Sequence, residues 1–391
     1  MNRTNLVRGG LIRSNFDEVS ETPFLTSTYR FDTAEEHAAA FDGDTNHYIY
    51  TRFANPTVQM FEDRLRHIDE ALFCRATSSG MAAMYSSLAC WVQPNDTVVA
   101  AKTMFGSCHI ILDEILPRMG VNVKLIDGTS LEAWENAIDD FTVAAFFETP
   151  TNPTLELIDI QGVKNLLPGN AICIVDNVFA SPVGQSPFKH GADVVIYSTT
   201  KHIDGGGRCL GGAILSNHEL FIEKVIPFAN HTGMIMSPFD AWVKLKALET
   251  LDLRVNKAVS NAYQLAQMLD QNSDFVIYPG LSSHPQYQLA TTQMNNPGTM
   301  LNLDFKSKAP AFEFLNNLKV IDIANNVGDQ KSLACHPATT THRRLPDDVR
   351  KSMGISDGLV RISVGTEELD DLKNDLKDAY SYRESYRKLP I

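Results

Sequence analysis

From about Pro56 onward, apolar positions recur in blocks that switch between two periods. Val58–Ile68 places apolar side chains at helical spacing, as do Gly80–Val92, which follows Ser78-Ser79, and Ser107–Met119. Between and after these lie short runs rich in β-branched and small apolar residues: Thr97–Ala101, Val121–Ile126, Val143–Phe147, Ala171–Val175, Val194–Tyr197 and Gly211–Leu215. Consecutive rather than alternate apolar positions mark strands covered on both faces, so the alternation predicts a mostly parallel sheet between helices. Beyond Pro238 the pattern lengthens into helices at Phe239–Thr250 and Val255–Gln271. It then mixes strands (Met300–Phe305, Leu359–Val364) with helices (Pro310–Leu318, Glu368–Tyr386), as expected of a smaller α+β domain joined to the first by the long helix. Before residue 50 the chain is polar and irregular, with one short helix near Thr33–Phe41. The expected organisation is an arm over 1–52 packing on a neighbouring subunit, a large domain over 53–247 and a small domain over 248–391.

Composition narrows the function classes. A chain of 391 residues, 43% hydrophobic, outgrows one small core and fits two domains. A net charge of −13 without any basic run argues against nucleic acid as a partner. No apolar run approaches the ~18 residues of a membrane span, and the first ten residues lack the apolar stretch of a signal peptide. Six cysteines, scattered and without a CxxC pair, read as reduced thiols of a cytoplasmic protein. The histidines form no HExxH, so no metal is expected.

The chemistry concentrates at two strand ends. Asp193-Val-Val-Ile-Tyr-Ser-Thr-Thr-Lys201 runs from a buried strand into three hydroxyls and a lysine, and Cys173-Ile-Val-Asp176 ends a second apolar run in a carboxylate. Pyridoxal phosphate (PLP) needs this pair: a lysine to hold it as a Schiff base and an aspartate to keep its ring nitrogen protonated. Each residue alone has an ordinary reading, Lys201 as a solvated lysine in a turn and Asp176 as a helix cap. Ser79-Gly-Met-Ala-Ala opens an apolar helix whose N-terminus could take a phosphate, with Ser198 and Thr200 adding hydroxyls, or it is a plain N-cap. Phe105 is either a stacking face for a ring or a core aromatic. No GxGxxG fits Gly205–Gly212, and the GxxxxG of Gly206–Gly211 is followed by Gly212 where a P-loop needs lysine, which removes the nicotinamide and nucleotide-hydrolase classes.

At this point the chain resembles the Cys/Met-metabolism PLP-dependent enzymes, the cystathionine γ-synthase group of fold-type I, over nearly its whole length. The motifs are Tyr50-Thr-Arg-Phe-Ala-Asn-Pro-Thr57, Ser78-Ser-Gly-Met-Ala82, Glu148-Thr-Pro-Thr-Asn-Pro153, Val175-Asp-Asn177, Ser198-Thr-Thr-Lys201 and Arg361-Ile-Ser-Val-Gly-Thr-Glu367. The resemblance implies that Lys201 anchors PLP and moves protons, and that Asp176 holds the ring nitrogen. It implies phosphate binding by Gly80, Met81, Ser198 and Thr200, with Tyr50 and Arg52 reaching the phosphate of a neighbouring subunit in a homotetramer with shared sites. It also implies a clamp for the substrate carboxylate made by Arg361, with Asn152 and the Ser332 backbone nearby. Most of the family carries tyrosine where this chain has Phe105, and loss of the phenol weakens the lyase readings, methionine γ-lyase among them. A second departure is Gly206-Gly-Arg208, where many relatives carry Gly-His. The Phe105–Cys108 segment, the Gly-Arg-Cys-Leu-Gly-Gly run and His336-Pro-Ala-Thr-Thr-Thr-His342 look most like the O-succinylhomoserine sulfhydrylase branch. The reaction this implies is γ-replacement, O-succinyl-L-homoserine plus sulfide giving L-homocysteine plus succinate. The alternatives are cysteine as the nucleophile, as in cystathionine γ-synthase, acetyl in place of succinyl, or a non-catalytic protein on the same fold.

Overall fold

The computed structural model describes residues 2–270 and 275–387. Seven strands form the large sheet: β1 (Phe73–Thr77), β2 (Thr97–Ala101), β3 (Asn122–Ile126), β4 (Thr142–Glu148), β5 (Ile172–Asp176), β6 (Val194–Ser198) and β7 (Gly212–Ser216). Their order is β1-β7-β6-β5-β4-β2-β3, with all neighbouring pairs parallel except those made by β7. Both faces are buried, as the consecutive apolar runs require. Val99, Ala145, Phe147, Cys173, Val175, Val195 and Tyr197 pack in one core layer, while Val98, Ala144, Phe146, Ile172, Ile174, Val194 and Ile196 pack in the other.

Two features of this sheet escape the apolar pattern. β1 carries Arg75 at its centre and so lacks an apolar run; the guanidinium is buried and donates to the Phe53 and Arg52 carbonyls and to the Asn230 side chain. The run at 212–216 is a strand as expected, but β7 lies antiparallel to both β6 and β1. Among the helices, Glu219–Thr232 was hidden by Pro227 within it, since proline interrupts the helical signal.

The small sheet comprises β8 (Val276–Ile277), β9 (Met300–Asp304), β10 (Asp322–Ile323), β11 (Leu333–Cys335) and β12 (Leu359–Ser363), in the order β10-β11-β12-β9-β8. On β12 side chains alternate: Val360 and Ile362 enter the core of this unit, and Arg361 points the other way. The helix Leu251–Asp270 spans both cores, with Leu251 and Val255 in the first and Ala262, Leu265 and Ala266 in the second. Near the N-terminus the short helix forms at Ala34–Phe41, capped by the Thr33 hydroxyl accepting from the Glu36 N–H. Among the described residues no helix is long and apolar enough to cross a membrane, and the six cysteines are unpaired.

Candidate active site

The carboxyl ends of β4, β5 and β6 lie side by side, with Glu148 directly opposite Asp176 in register and Ser198 closing the next strand. Ligands of open α/β sheets bind at this edge because the strand ends are covered only by loops. Here the edge opens into a cavity of about 310 Å³ that is closed on its far side by Arg361 of the small sheet. Of the residues singled out from the sequence, Gly80, Met81, Phe105, Asn152, Asp176, Ser198, Thr200, Lys201 and Arg361 all line it.

Lys201 lies three residues past the end of β6. Its backbone N–H donates to the Ser198 carbonyl at 3.2 Å, and its Nζ donates to Asn326 Oδ1 at 2.6 Å. Burial, helped by the nearby Arg361 guanidinium, pulls its amine down to about 8. An amine attacks an aldehyde only when unprotonated, and below this value Lys201 carries its proton. Reconstitution of apoenzyme with PLP should therefore accelerate from pH 6.5 to about 8 and then level off, rather than climb on toward the range of a solvated lysine; the growth of visible absorbance after mixing reads this directly.

Asp176 sits on the cavity floor, where its carboxylate accepts the Val178 N–H at 2.9 Å. Burial pushes it up to about 7, and the neighbouring Glu148 is raised well above its usual range by burial and by the Asp176 charge. A carboxylate so placed favours a cationic ligand group. Arg361 is 2% exposed and is therefore not a surface ion-pair residue. It donates from Nη1 to Asn152 Oδ1 at 2.8 Å and from Nη2 to the Asn325 carbonyl at 2.9 Å. Both partners are neutral amide oxygens, which leaves the guanidinium charge available for a carboxylate.

At the other end of the cavity the helix Gly80–Ala89 begins, its first turn capped by the Ser79 hydroxyl accepting from the Ala82 N–H at 3.1 Å. A Cβ on Gly80 would stand 2.6 Å from the Ser198 Cβ, so only glycine lets the helix N-terminus come this close to the β6 hydroxyls. Thr200 lines the same end, its hydroxyl accepting the Gly211 N–H at 3.1 Å. A reachable lysine, a buried carboxylate suited to a pyridinium, a donor-rich end for a phosphate and an aromatic at 105 form a donor set that fits PLP.

Three predicted residues lie elsewhere. Ser332 does not line the cavity: Glu367 accepts both its backbone N–H at 2.5 Å and its hydroxyl at 2.8 Å. The backbone group that meets Arg361 is the Asn325 carbonyl instead. Tyr50 is exposed on the arm, bridged to Thr28, and Arg52 donates to the Asn230 carbonyl at 2.7 Å. The sequence reading missed Glu148, which lines the cavity, and Asn326, which accepts from Lys201 Nζ. Glu148 carried a usable signal, a carboxylate ending an apolar run like Asp176; Asn326, in a polar loop, carried none.

The family model for Cys/Met metabolism PLP-dependent enzymes matches residues 3–381. An O-succinylhomoserine sulfhydrylase of Mycobacterium tuberculosis is 47% identical over 383 residues, covering 96% of this chain and 94% of its own. One from Pseudomonas aeruginosa is 39% identical over 377 residues, covering 95% and 93%. The crystal structure of cystathionine gamma synthase from Xanthomonas oryzae pv. oryzae in complex with cystathionine superposes with a TM-score of 0.92 at 32% identity, covering 98% of each chain. The cavity, with its lysine and aspartate at adjacent strand ends, is thus set in a chain that belongs to the Cys/Met metabolism PLP-dependent enzymes.

Proposed function

We propose that this chain catalyses γ-replacement on O-succinyl-L-homoserine with sulfide, giving L-homocysteine and succinate. The observation that carries the reading is the meeting of Lys201, Asp176 and Arg361, from two different sheets, in one cavity. The sulfhydrylase names of the 47% and 39% identical relatives support the choice of substrate.

Bound PLP supplies an electron sink that acidifies first the α and then the β protons of an amino acid. The protein supplies the rest. Lys201 would hold the cofactor, and its Nζ, placed in the cavity, would move protons at the α and β carbons of a bound amino acid. Asp176 keeps the ring nitrogen protonated. The Gly80 and Met81 backbone, with the Ser198 and Thr200 hydroxyls, would hold the phosphate, and Phe105 would offer a face to the ring. Arg361, held by Asn152, binds the α-carboxylate. Phe105 brings no phenol to protonate a leaving group, and succinate, a good leaving group, needs none.

Sulfide is favoured over cysteine by the charges in the cavity. Among the described residues lining it, the cations are Lys201 and Arg361, and both are committed. Cysteine would bring a second carboxylate within three bonds of the reacting sulfur, where it must be enclosed, whereas the succinyl carboxylate can stay in solvent at the mouth beside the exposed Leu210. The arm over 1–52, the PLP-binding domain over 53–247 and the small domain over 248–391 make up a subunit of a homotetramer. In it Tyr50 and Arg52, which do not line their own cavity, complete the neighbour's phosphate site. Six unpaired cysteines accord with a cytoplasmic setting.

The test is a matrix of O-succinyl- and O-acetylhomoserine against sulfide and cysteine. The succinyl–sulfide pair should have the highest kcat/KM, by at least about 10-fold, the selectivity that one fitted contact supplies. A preference for cysteine, with cystathionine as product, would hand the assignment to the synthase reading.

A further inference from the structure

Glu148 has no part in the chemistry described above, yet it touches three components of the site. Its Oε1 accepts the Phe105 backbone N–H at 2.8 Å, and its Oε2 accepts the Asn152 backbone N–H at 3.1 Å. Across the sheet it faces Asp176 in register, and its carboxylate, that of Asp176 and the Cys108 thiol lie within 4.8 Å of one another. The residue is 5% exposed and lines the cavity. One rigid side chain thus bridges the loop that presents the aromatic face and the loop whose Asn152 side chain seats Arg361.

This bridge has a stereochemical consequence. A proton leaves a carbon conjugated to an electron-withdrawing ring most readily when its C–H bond stands perpendicular to the ring plane. The stacking face sets that plane, and the carboxylate clamp sets the rotation of the amino acid about the bond joining it to the ring. Both elements hang from the two oxygens of Glu148. We propose that Glu148 is a positioning residue that fixes the ring-stacking face against the carboxylate clamp, and so aligns the α C–H bond of any bound amino acid. The inference rests on the amino-acid and PLP reading of the cavity, but not on the acyl group or the sulfur donor.

Glu148→Gln is the discriminating variant. Its amide oxygen can accept one of the two N–H groups, while its NH2 must face the other, so one loop is released with almost no change in volume. The probe is L-2-aminobutyrate, which has a carboxylate and an α proton but no leaving group. Two quantities are read on the holoenzyme: its dissociation constant, from the change in visible absorbance, and its rate of α-proton exchange in deuterated water, by NMR. The variant should keep the cofactor's visible band, bind aminobutyrate at least fivefold more weakly and exchange its α proton at least tenfold more slowly. Glu148→Asp, which keeps the carboxyl group but is one methylene too short to span both loops, should do the same and stands in if the glutamine variant does not fold. A purely structural role would lower the melting temperature and leave folded molecules with the parent's constants. A dissociation constant within fivefold of the parent in the folded variant overturns the assignment. Because the parent's affinity for aminobutyrate is indifferent to acyl group and nucleophile, a wrong choice of substrate above leaves this test intact.

Discussion

Lys201→Ala should abolish turnover and the visible absorbance of the lysine-bound cofactor together. On the proposed reading the side chain is both the covalent anchor and the proton carrier, and the positioned acid–base part alone is worth about 10²–10⁴-fold. No other lysine lines the cavity among the described residues, so no substitute amine stands within reach. Folding should be spared, because the one side-chain partner lost is Asn326 Oδ1, at the edge of a cavity that water can enter. Purified variant that retains the band after dialysis would remove Lys201 as the anchor.

Asp176→Asn should retain PLP and slow α-proton removal by about 10²–10⁴-fold, the kinetic equivalent of the 3–5 kcal/mol that losing one partner of a buried charge pair costs. Asparagine keeps the volume and can still accept the Val178 N–H, so the floor of the cavity is preserved. What disappears is the negative charge that, on the proposed reading, holds a proton on the ring nitrogen. Deuterium exchange at the α carbon isolates this step from release of the leaving group. An unchanged exchange rate would mean that the ring nitrogen does not depend on Asp176.

Much of what gathers in this cavity was legible because Asp176 ends one strand buried on both faces and Lys201 lies three residues past another. Val194–Tyr197 and Cys173–Val175 are apolar without alternation, so the first polar residues after them had to lie at a sheet edge, and the sheet register brings those edges together. Arg361 was found by resemblance alone; on its strand it reads as the polar position of an alternating pattern, and only the packing of the small sheet against the large one turns it toward the cavity. The misplaced Ser332 has the same origin. In a loop without periodicity, nothing in the sequence says which of several polar residues faces inward, and here the Glu367 carboxylate occupies the serine while Asn325 and Asn326 meet the two cations. β1 was missed because burial of Arg75 is bought by carbonyls from the arm and by Asn230, distant partners that no local window contains. The reversal of β7 is likewise a property of its long connection from β6, and both directions carry the same apolar run.

The most direct test of the central claim is stoichiometric. Holoenzyme is given O-succinyl-L-homoserine and excess sulfide, and succinate, homocysteine and ammonia are measured in the same reaction. Replacement at the γ carbon predicts one homocysteine for each succinate released and no ammonia. Succinate appearing with equimolar ammonia and a 2-oxo acid, and without homocysteine, would show elimination instead and contradict the account.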